Sequence, residues 1–439
     1  MWRGRIGGSR ALVGAAAALL AAMGGGPKQS ARARQRDGGA AARALPRVGI
    51  RDGRFVVKRS ARPFAPRGFN YIRLRPRWHG TFAPGRYDAG RAEAMLRHVR
   101  AGGFNTVRVF VDPAAGAGVV ASSDAARLSA RYMGNVLDFL ERARGHRVYV
   151  VASLLMLPSC RRYDAIVGRK RKGFGHGNEM YFEEGFVRAK ALYVGDFIEA
   201  IKARDASLLP GVLAYELDNE THFLAEALPF SKKAGKLTGP DGRTYDLSSD
   251  GGVQRLADAA VVRWADACVE AARRADPDAL VSVNVFTFAA VGRRGPGRLS
   301  KATTKDRRFP ARPMALTRTK LDYIDVHFYP FDGKTLDRDL KSIEFEAFAK
   351  ACRAAGKPMI MGEFGAFKKA WPTLPAAAAA MRQHIRRVGG LGFAGWLYWT
   401  YDTDEQSFLW NARSGKGEIF DALRGEFVPD GGGPPTTDR

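Results

Sequence analysis

Residues 211–220 read GVLAYELDNE. The run GVLAYEL has the length and composition of a buried strand, and it ends abruptly in two carboxylates and an amide, Asp218, Asn219 and Glu220. Ionisable groups are costly to take out of water. A buried strand that ends in this cluster needs a reason, and the reason depends on how the other strands end.

Seven further runs share its character. PRGFNYIRL (66–74), FNTVRVFV (104–111) and RVYVVASLL (147–155) precede it, and ALVSVNVFTF (279–288), YIDVHFYP (323–330), KPMIMGEFG (357–365) and FAGWLYWTY (393–401) follow it. Most are succeeded by an amphipathic helical pattern, such as AGRAEAMLRHVRAGG or MGNVLDFLERARG. Near-continuous apolar strands that alternate with helices predict a parallel sheet buried on both faces. Eight such units predict an α/β fold of the closed (β/α)8 barrel type. A doubly wound sheet would carry a Gly-rich phosphate loop after its first strand, and RGFNYIRLRPRW has none. Ahead of the barrel, the Asp52-Gly53 turn in VGIRDGRFVV predicts a β-hairpin. Long loops are expected after strands 3, 4 and 5. The fourth has a Pro240-Asp241-Gly242 turn suited to a hairpin. The fifth, 289–320, carries ten basic residues and predicts no long helix.

The chain has 439 residues, 46% of them hydrophobic, with 71 Lys+Arg against 44 Asp+Glu and a net charge of +27. That charge suits an anionic glycan, a membrane surface or nucleic acid. A nucleic-acid binder needs a clustered basic stripe with aromatic platforms. Here the basic residues are dispersed, so no nucleic-acid partner is expected. Cys160, Cys268 and Cys352 lie far apart, and neither they nor His176 and His222 have metal-ligand spacing. No disulfide, metal or other cofactor is therefore expected.

The first 26 residues hold Arg3, Arg5 and Arg10 followed by an apolar stretch from Ala11 to Met23. That stretch is too short to span a bilayer but has the layout of a secretory signal peptide. The expected organisation is a signal peptide at 1–26, a disordered linker at 27–47, the barrel at 48–424 and a disordered tail at 425–439. The protein is expected to be secreted or periplasmic, monomeric and without stable membrane insertion.

In a barrel the loops at the C-terminal ends of the strands form one face, where reactive groups collect. Those ends supply Arg108, Asn219 and Glu220, His327 and Tyr329, Glu363, and Trp399. Each alone has a plain reading as an ion-pair partner, core histidine, core aromatic or helix-capping carboxylate. Together, from five strands and at one end, they do not. Two carboxylates across a cleft are what glycosidic-bond cleavage needs: one protonated to donate to the leaving oxygen, one ionised to attack the anomeric carbon. An adjacent Arg favours ionisation, while burial and a neighbouring negative charge favour the protonated form. Trp399 offers a face for sugar stacking, and Trp78 and His79 after strand 1 are further contact candidates.

The ordered set GFNYIRL, NTVRVF, NE after strand 4, HFY after strand 6, GEFG after strand 7 and GWLYWTYD in strand 8 resembles clan A glycoside hydrolases, most closely the family 5 cellulase/mannanase type. The resemblance spans roughly 48–424. It implies Glu220 as acid/base, Glu363 as nucleophile, Asn219, His327 and Tyr329 as close supports, Arg108 beside the nucleophile and Trp399 under the cleaved sugar. It also implies retention of anomeric configuration, with carboxyls about 5–5.5 Å apart. Strand 3 ends in VASLLMLPSC, without the His-rich ending common in cellulases of this type, and Thr221-His222 stands where a proline is frequent. Both departures bear on the cellulase label and leave the reaction intact. The expected activity is a retaining β-glycosidase on a β-mannan or β-glucan polysaccharide. The basic loops raise the expectation of an anionic or anionically decorated substrate. A transglycosylase and a catalytically silent carbohydrate-binding barrel are the alternatives.

Overall fold

In the computed structural model the eight runs form a closed parallel barrel, and each strand neighbours the next in sequence order. The structure describes residues 44–426 except 77, 171–176, 298–302 and 304. The leader, most of the linker and tail segments, and His176 therefore lie outside the described residues. The strands are β1 (Arg67–Tyr71), β2 (Thr106–Val111), β3 (Tyr149–Leu154), β4 (Val212–Glu216), β5 (Val281–Phe286), β6 (Tyr323–His327), β7 (Met359–Phe364) and β8 (Trp396–Tyr398). β8 closes onto β1 by pairing Tyr398 with Phe69, and β5 meets β4 at Ser282 and Glu216. Every residue of β2, β3, β5 and β7 is buried, as expected where helices cover the outer face and side chains fill the inner one.

Helices α1 (Ala89–Ala101), α2 (Ala130–Gly145), α3 (Glu184–Asp205), α4 (Asp250–Ala275), α5 (Pro313–Leu316), α6 (Phe345–Ala354), α7 (Leu374–Gly390) and α8 (Glu418–Leu423) alternate with the strands. Asp88, Ser129 and Ser249 cap α1, α2 and α4 with side-chain oxygens that accept backbone N–H bonds. Among its described residues the fifth unit has one short α-helix, the four-residue α5, and a 3-10 turn at Ala289–Val291, in line with its Gly, Pro and basic composition. No helix among the described residues is long and apolar enough to cross a membrane.

The predicted hairpin pairs Val48–Arg51 with Arg54–Val57. Its Phe55 meets the Tyr323 ring edge-on at 5.3 Å, and Val48 and Phe55 pack with Tyr149, Leu213 and Leu280 near the strand starts. It thus plugs the N-terminal end of the barrel. The packed chain begins ahead of the expected boundary at 48. Leu45 is buried in the same cluster, Pro46 accepts the Tyr149 hydroxyl at 2.7 Å, and Arg47 pairs with Asp276 at 2.8 Å. Burial of Leu45 offsets part of the cost of ordering this segment. At the other end Glu426 still pairs with Arg386.

Two short ladders tie the loops of the C-terminal face together. After β4, residues 222–224 pair antiparallel with 308–310, so the loops that follow β4 and β5 are fastened to each other. After β7, residues 366–367 pair with 409–410 beyond β8. The Pro-Asp-Gly turn joins a third pair, 236–238 with 244–246.

Candidate active site

Arg108 is wholly buried at the centre of β2. Nε donates to Glu216 Oε2 at 2.6 Å, Nη1 to Glu363 Oε1 at 2.6 Å and to Asn70 Oδ1 at 3.0 Å, and Nη2 to Asn219 Oδ1 at 2.7 Å. A guanidinium is tolerated in such a place only with this degree of satisfaction. Burial disfavours its charge, but Glu216 and Glu363 outweigh burial and push its pKa up.

Glu363, the penultimate residue of β7, has both oxygens held. Oε1 takes the bond from Arg108, and Oε2 accepts the Tyr329 hydroxyl at 2.8 Å. Burial first, and then the Glu363 charge, raise the tyrosine well above its ordinary value, so it remains a donor.

Glu220 stands across the cleft with a left-handed backbone (φ 48). A non-glycine residue there costs about 1–3 kcal/mol and persists only when its surroundings hold it. Asn284 of β5 does so. Its side-chain oxygen accepts the Glu220 N–H at 2.5 Å, its carbonyl accepts Thr221 N at 3.0 Å, and its amide donates to Asp218 O at 2.8 Å. The Glu220 side chain is 26% exposed against 5% for Glu363. It therefore faces the open part of the cleft.

His327 lies between the two carboxylates, with Nδ1 3.5 Å from Glu363 Oε2 and 3.6 Å from Glu220 Oε1. Both separations exceed hydrogen-bond length, so the ring acts through charge. Burial disfavours the imidazolium, but Glu363, Glu220 and Asp325 outweigh it and raise the pKa. Below the ring, Asp325 is pushed well above the carboxylate range by burial, helped by Glu216 and opposed by His327.

One oxygen of each glutamate and a His327 nitrogen lie within 4.8 Å of one another. Such a trio can hold a cation. Here Arg108 and Arg308 already sit on the two carboxylates and offset their charge, through Glu363 Oε1 and Glu220 Oε2.

Trp399 at the end of β8 is nearly buried and donates from Nε1 to Gln406 Oε1 at 2.6 Å. Its ring packs edge-on against Phe110 at 5.7 Å, His79 stacks on Phe110 at 5.8 Å, and Trp78 lies beyond His79 at 6.2 Å. Trp78 is thus at the rim, 41% exposed, away from the carboxylates. A second row of rings leaves Tyr329 on the Glu363 side. Phe367 lies 5.8 Å from Tyr329, and Phe331 and Phe408 stack on Phe367 at 4.5 and 6.1 Å.

The sequence profile of the cellulase family (glycosyl hydrolase family 5) matches residues 170–402, just over half of the chain. The chain belongs to glycosyl hydrolase family 5. It is therefore a glycoside hydrolase, and carbohydrate is its substrate. Solved structures agree on the fold. The endo-1,4-beta-mannanase of Rhizomucor miehei superposes with a TM-score of 0.56 at 13% identity, covering 86% of this chain and 98% of its own. An endo-beta-1,4-mannanase of Thermotoga petrophila gives 0.53 at 15% identity, with 82% and 76% covered. A family 5 mannosidase of Rhizomucor miehei gives 0.51 at 14% identity, with 87% and 97% covered. No curated protein matches the sequence.

Within this family 5 barrel, all the expected site residues except Trp78 gather around the two glutamates. Five participants were not singled out from the sequence. Asn70, Glu216, Asn284 and Asp325 are each a polar letter inside an apolar strand, a signal that was present. Arg308 gave none. Its Nη1 donates to Glu220 Oε2 at 2.9 Å. The surroundings of Glu220 accordingly favour its ionised form. Burial pushes its pKa up, but His327 and the Arg308 charge outweigh burial and bring it down to about 2. The expected neighbour was a negative charge, and the nearest partner is a guanidinium.

Proposed function

We propose that this family 5 protein is a retaining β-glycosidase that acts on a polysaccharide of the β-mannan or β-glucan type. The reading is carried by the two glutamates, whose oxygens come within 4.8 Å of each other across His327. Retaining enzymes need close carboxyls, about 5–5.5 Å apart, whereas inverting ones leave room for a water. Glu363 attacks the anomeric carbon while Glu220 protonates the leaving oxygen. Glu220, then a carboxylate, takes a proton from the water that hydrolyses the glycosyl-enzyme. Arg108 and Tyr329 hold Glu363, Asn219 lies within reach of the sugar's 2-hydroxyl, and Trp399 lines the floor. The mannanase neighbours favour mannan. The basic loop 289–320 favours a glycan with anionic groups, and the signal-like N-terminus favours export.

The test is reducing-sugar release from mannan, glucan, xylan and acidic polysaccharides, with Glu363→Ala beside the wild type. Activity on a β-mannan or β-glucan, abolished by the substitution, supports the reading. Activity that survives Glu363→Ala, or a folded protein inert on the whole panel, sinks it. An anionic preference would show as a steeper salt dependence on acidic glycans than on neutral ones.

A further inference from the structure

Glu220 is the group from which the proposed reaction takes a proton, yet the cations set against it stabilise its ionised form. Arg308 comes from the 308–310 strand and His327 from β6, while His222, two residues along its own segment, contacts the Glu220 carbonyl through Nδ1 at 2.7 Å. Glu363, on β7, is the carboxylate across the cleft. Asn284, from β5, is neutral, and Arg108 reaches Asn219 rather than Glu220.

Arg308 is built to leave. Nε and Nη2 donate to Asp306 at 3.2 and 3.0 Å, and the guanidinium rests 4.6 Å above the Phe286 ring, so Nη1 alone touches Glu220. Breaking that single contact leaves the cation paired and stacked. Its side chain is 30% exposed, on the same open side as Glu220. The group that protonates the leaving oxygen marks where the leaving-group sugar sits, so Arg308 lines that half of the cleft. The ladder between 222–224 and 308–310 fixes the backbones of the two residues, which leaves side-chain rotation as the motion available.

We propose that Arg308 is a positioning residue for proton transfer: it holds Glu220 ionised in the free enzyme, and the entering leaving-group sugar parts the guanidinium from the carboxylate. The proposal rests on Glu220 being the acid/base. With Arg308 away, the Glu220 carboxylate takes up a proton from solvent and passes it to the glycosidic oxygen as the C1–O bond breaks and the Glu363–C1 bond forms. With Arg308 back, the Glu220 carboxylate is the favoured form, which is what the second step needs to accept a proton from water. One contact, alternately broken and made, serves both halves of the reaction.

The experiment follows kcat/KM against pH for wild type, Arg308→Met and Arg308→Lys on β-1,4-mannopentaose, cellopentaose and a 2,4-dinitrophenyl β-glycoside. The alkaline limb of kcat/KM reports the acid of the free enzyme. Arg308→Met is expected to move it up by about one pH unit or more, a gain of about tenfold above the limb. Arg308→Lys keeps the wild-type limb. The dinitrophenyl substrate, whose leaving group departs without a proton, shows no such shift. An unmoved limb in Arg308→Met, or an equal move on both kinds of substrate, overturns the proposal.

Carbon-13 NMR of protein labelled at the glutamate carboxyl, with the Glu220 signal assigned by Glu220→Gln, reads the same carboxyl without turnover. Wild type should stay ionised below about pH 4, and Arg308→Met should titrate at least one unit higher. Coincident titrations overturn the clamp. An NMR shift in a protein inert on every glycan sinks the proposed function and leaves the clamp standing.

Discussion

Tyr329 and Arg108 hold opposite oxygens of one carboxylate: the hydroxyl donates to Glu363 Oε2 at 2.8 Å and the guanidinium to Oε1 at 2.6 Å. With both oxygens tied, Glu363 presents a single orientation to the cleft, which is the positioning its proposed role as nucleophile needs. Tyr329 lies two residues beyond His327 and 34 before Glu363, so its role depends on β6 and β7 being neighbours.

Tyr329→Phe should therefore lower kcat and leave KM nearly unchanged. A hydrogen bond to a charged group is worth about 1.5–3 kcal/mol, so the expected loss is about ten- to hundredfold. Steady-state kinetics on the best polysaccharide of the panel decides it. A KM effect with kcat intact would mean that the tyrosine binds sugar instead.

A second prediction concerns stability. Gly362 lies against Asp325 so closely that a Cβ built on it would fall 1.8 Å from Asp325 Oδ2, and its N–H donates to Oδ1 at 2.6 Å. The buried carboxyl thus occupies the space where a side chain would be. Gly362→Ala must push Asp325 toward His327 and Glu216. Overpacking a core of this kind costs about 1–3 kcal/mol, and disturbance of a buried polar network adds to it. Urea titration should show a lower midpoint at constant slope. A midpoint equal to wild type would mean that the barrel floor can yield.

How far the sequence reveals this molecule follows from the physics of each part. Parallel barrel strands are buried on both faces, so they appear as unbroken apolar runs, and all eight stood out. Glu220, His327 and Glu363 were visible because each interrupts such a run at the same end, and Arg108 because it is a charge in the middle of one. Asn70, Glu216, Asn284 and Asp325 also interrupt apolar strands, but their meaning emerges only from register, which pairs Asn70 with Arg108 and Asn284 with Asp325. Arg308 was invisible for a different reason. It is one of ten basic residues in 289–320, and what distinguishes it is a three-residue ladder to a segment more than eighty residues away. Nothing local encodes that pairing.

The aromatic row beyond Tyr329 leads to a third prediction. Phe331 and Phe408 are each 45% exposed, and both stack on Phe367 at the edge of the cleft. Large exposed rings in a row offer flat apolar faces to the pyranose rings of a chain. Covering one such face is worth roughly 1 kcal/mol. Phe331→Ala and Phe408→Ala should each raise KM about fivefold on long oligosaccharides and change little on the shortest substrate cleaved. A KM effect independent of chain length would place these rings outside the path of the glycan.

The last prediction follows from His384 on α7. The ring is 6% exposed, packs 5.8 Å from Phe364, and has no hydrogen-bond partner on Nε2 among the described residues. Burial is the main cause that lowers its pKa to about 4; Arg387 adds to this, and a contact with the Phe328 backbone opposes it. The unfolded chain binds this proton near pH 6.5, about 2.5 units higher. Between those values the unfolded state carries more protons, so stability is full above about pH 6.5 and falls as the pH drops toward 4. The loss from this one group is about 3 kcal/mol at most. Asp339 acts in the opposite sense. Burial raises it to about 6, so its contribution grows as the pH falls through that value. The whole-protein curve mixes the two, and a variant separates them. His384→Gln should flatten the acid-side loss between about pH 6.5 and 4, read as the difference in urea-unfolding free energy from wild type at each pH. A difference that does not vary with pH would mean that His384 is already charged in the fold, with a partner for its proton.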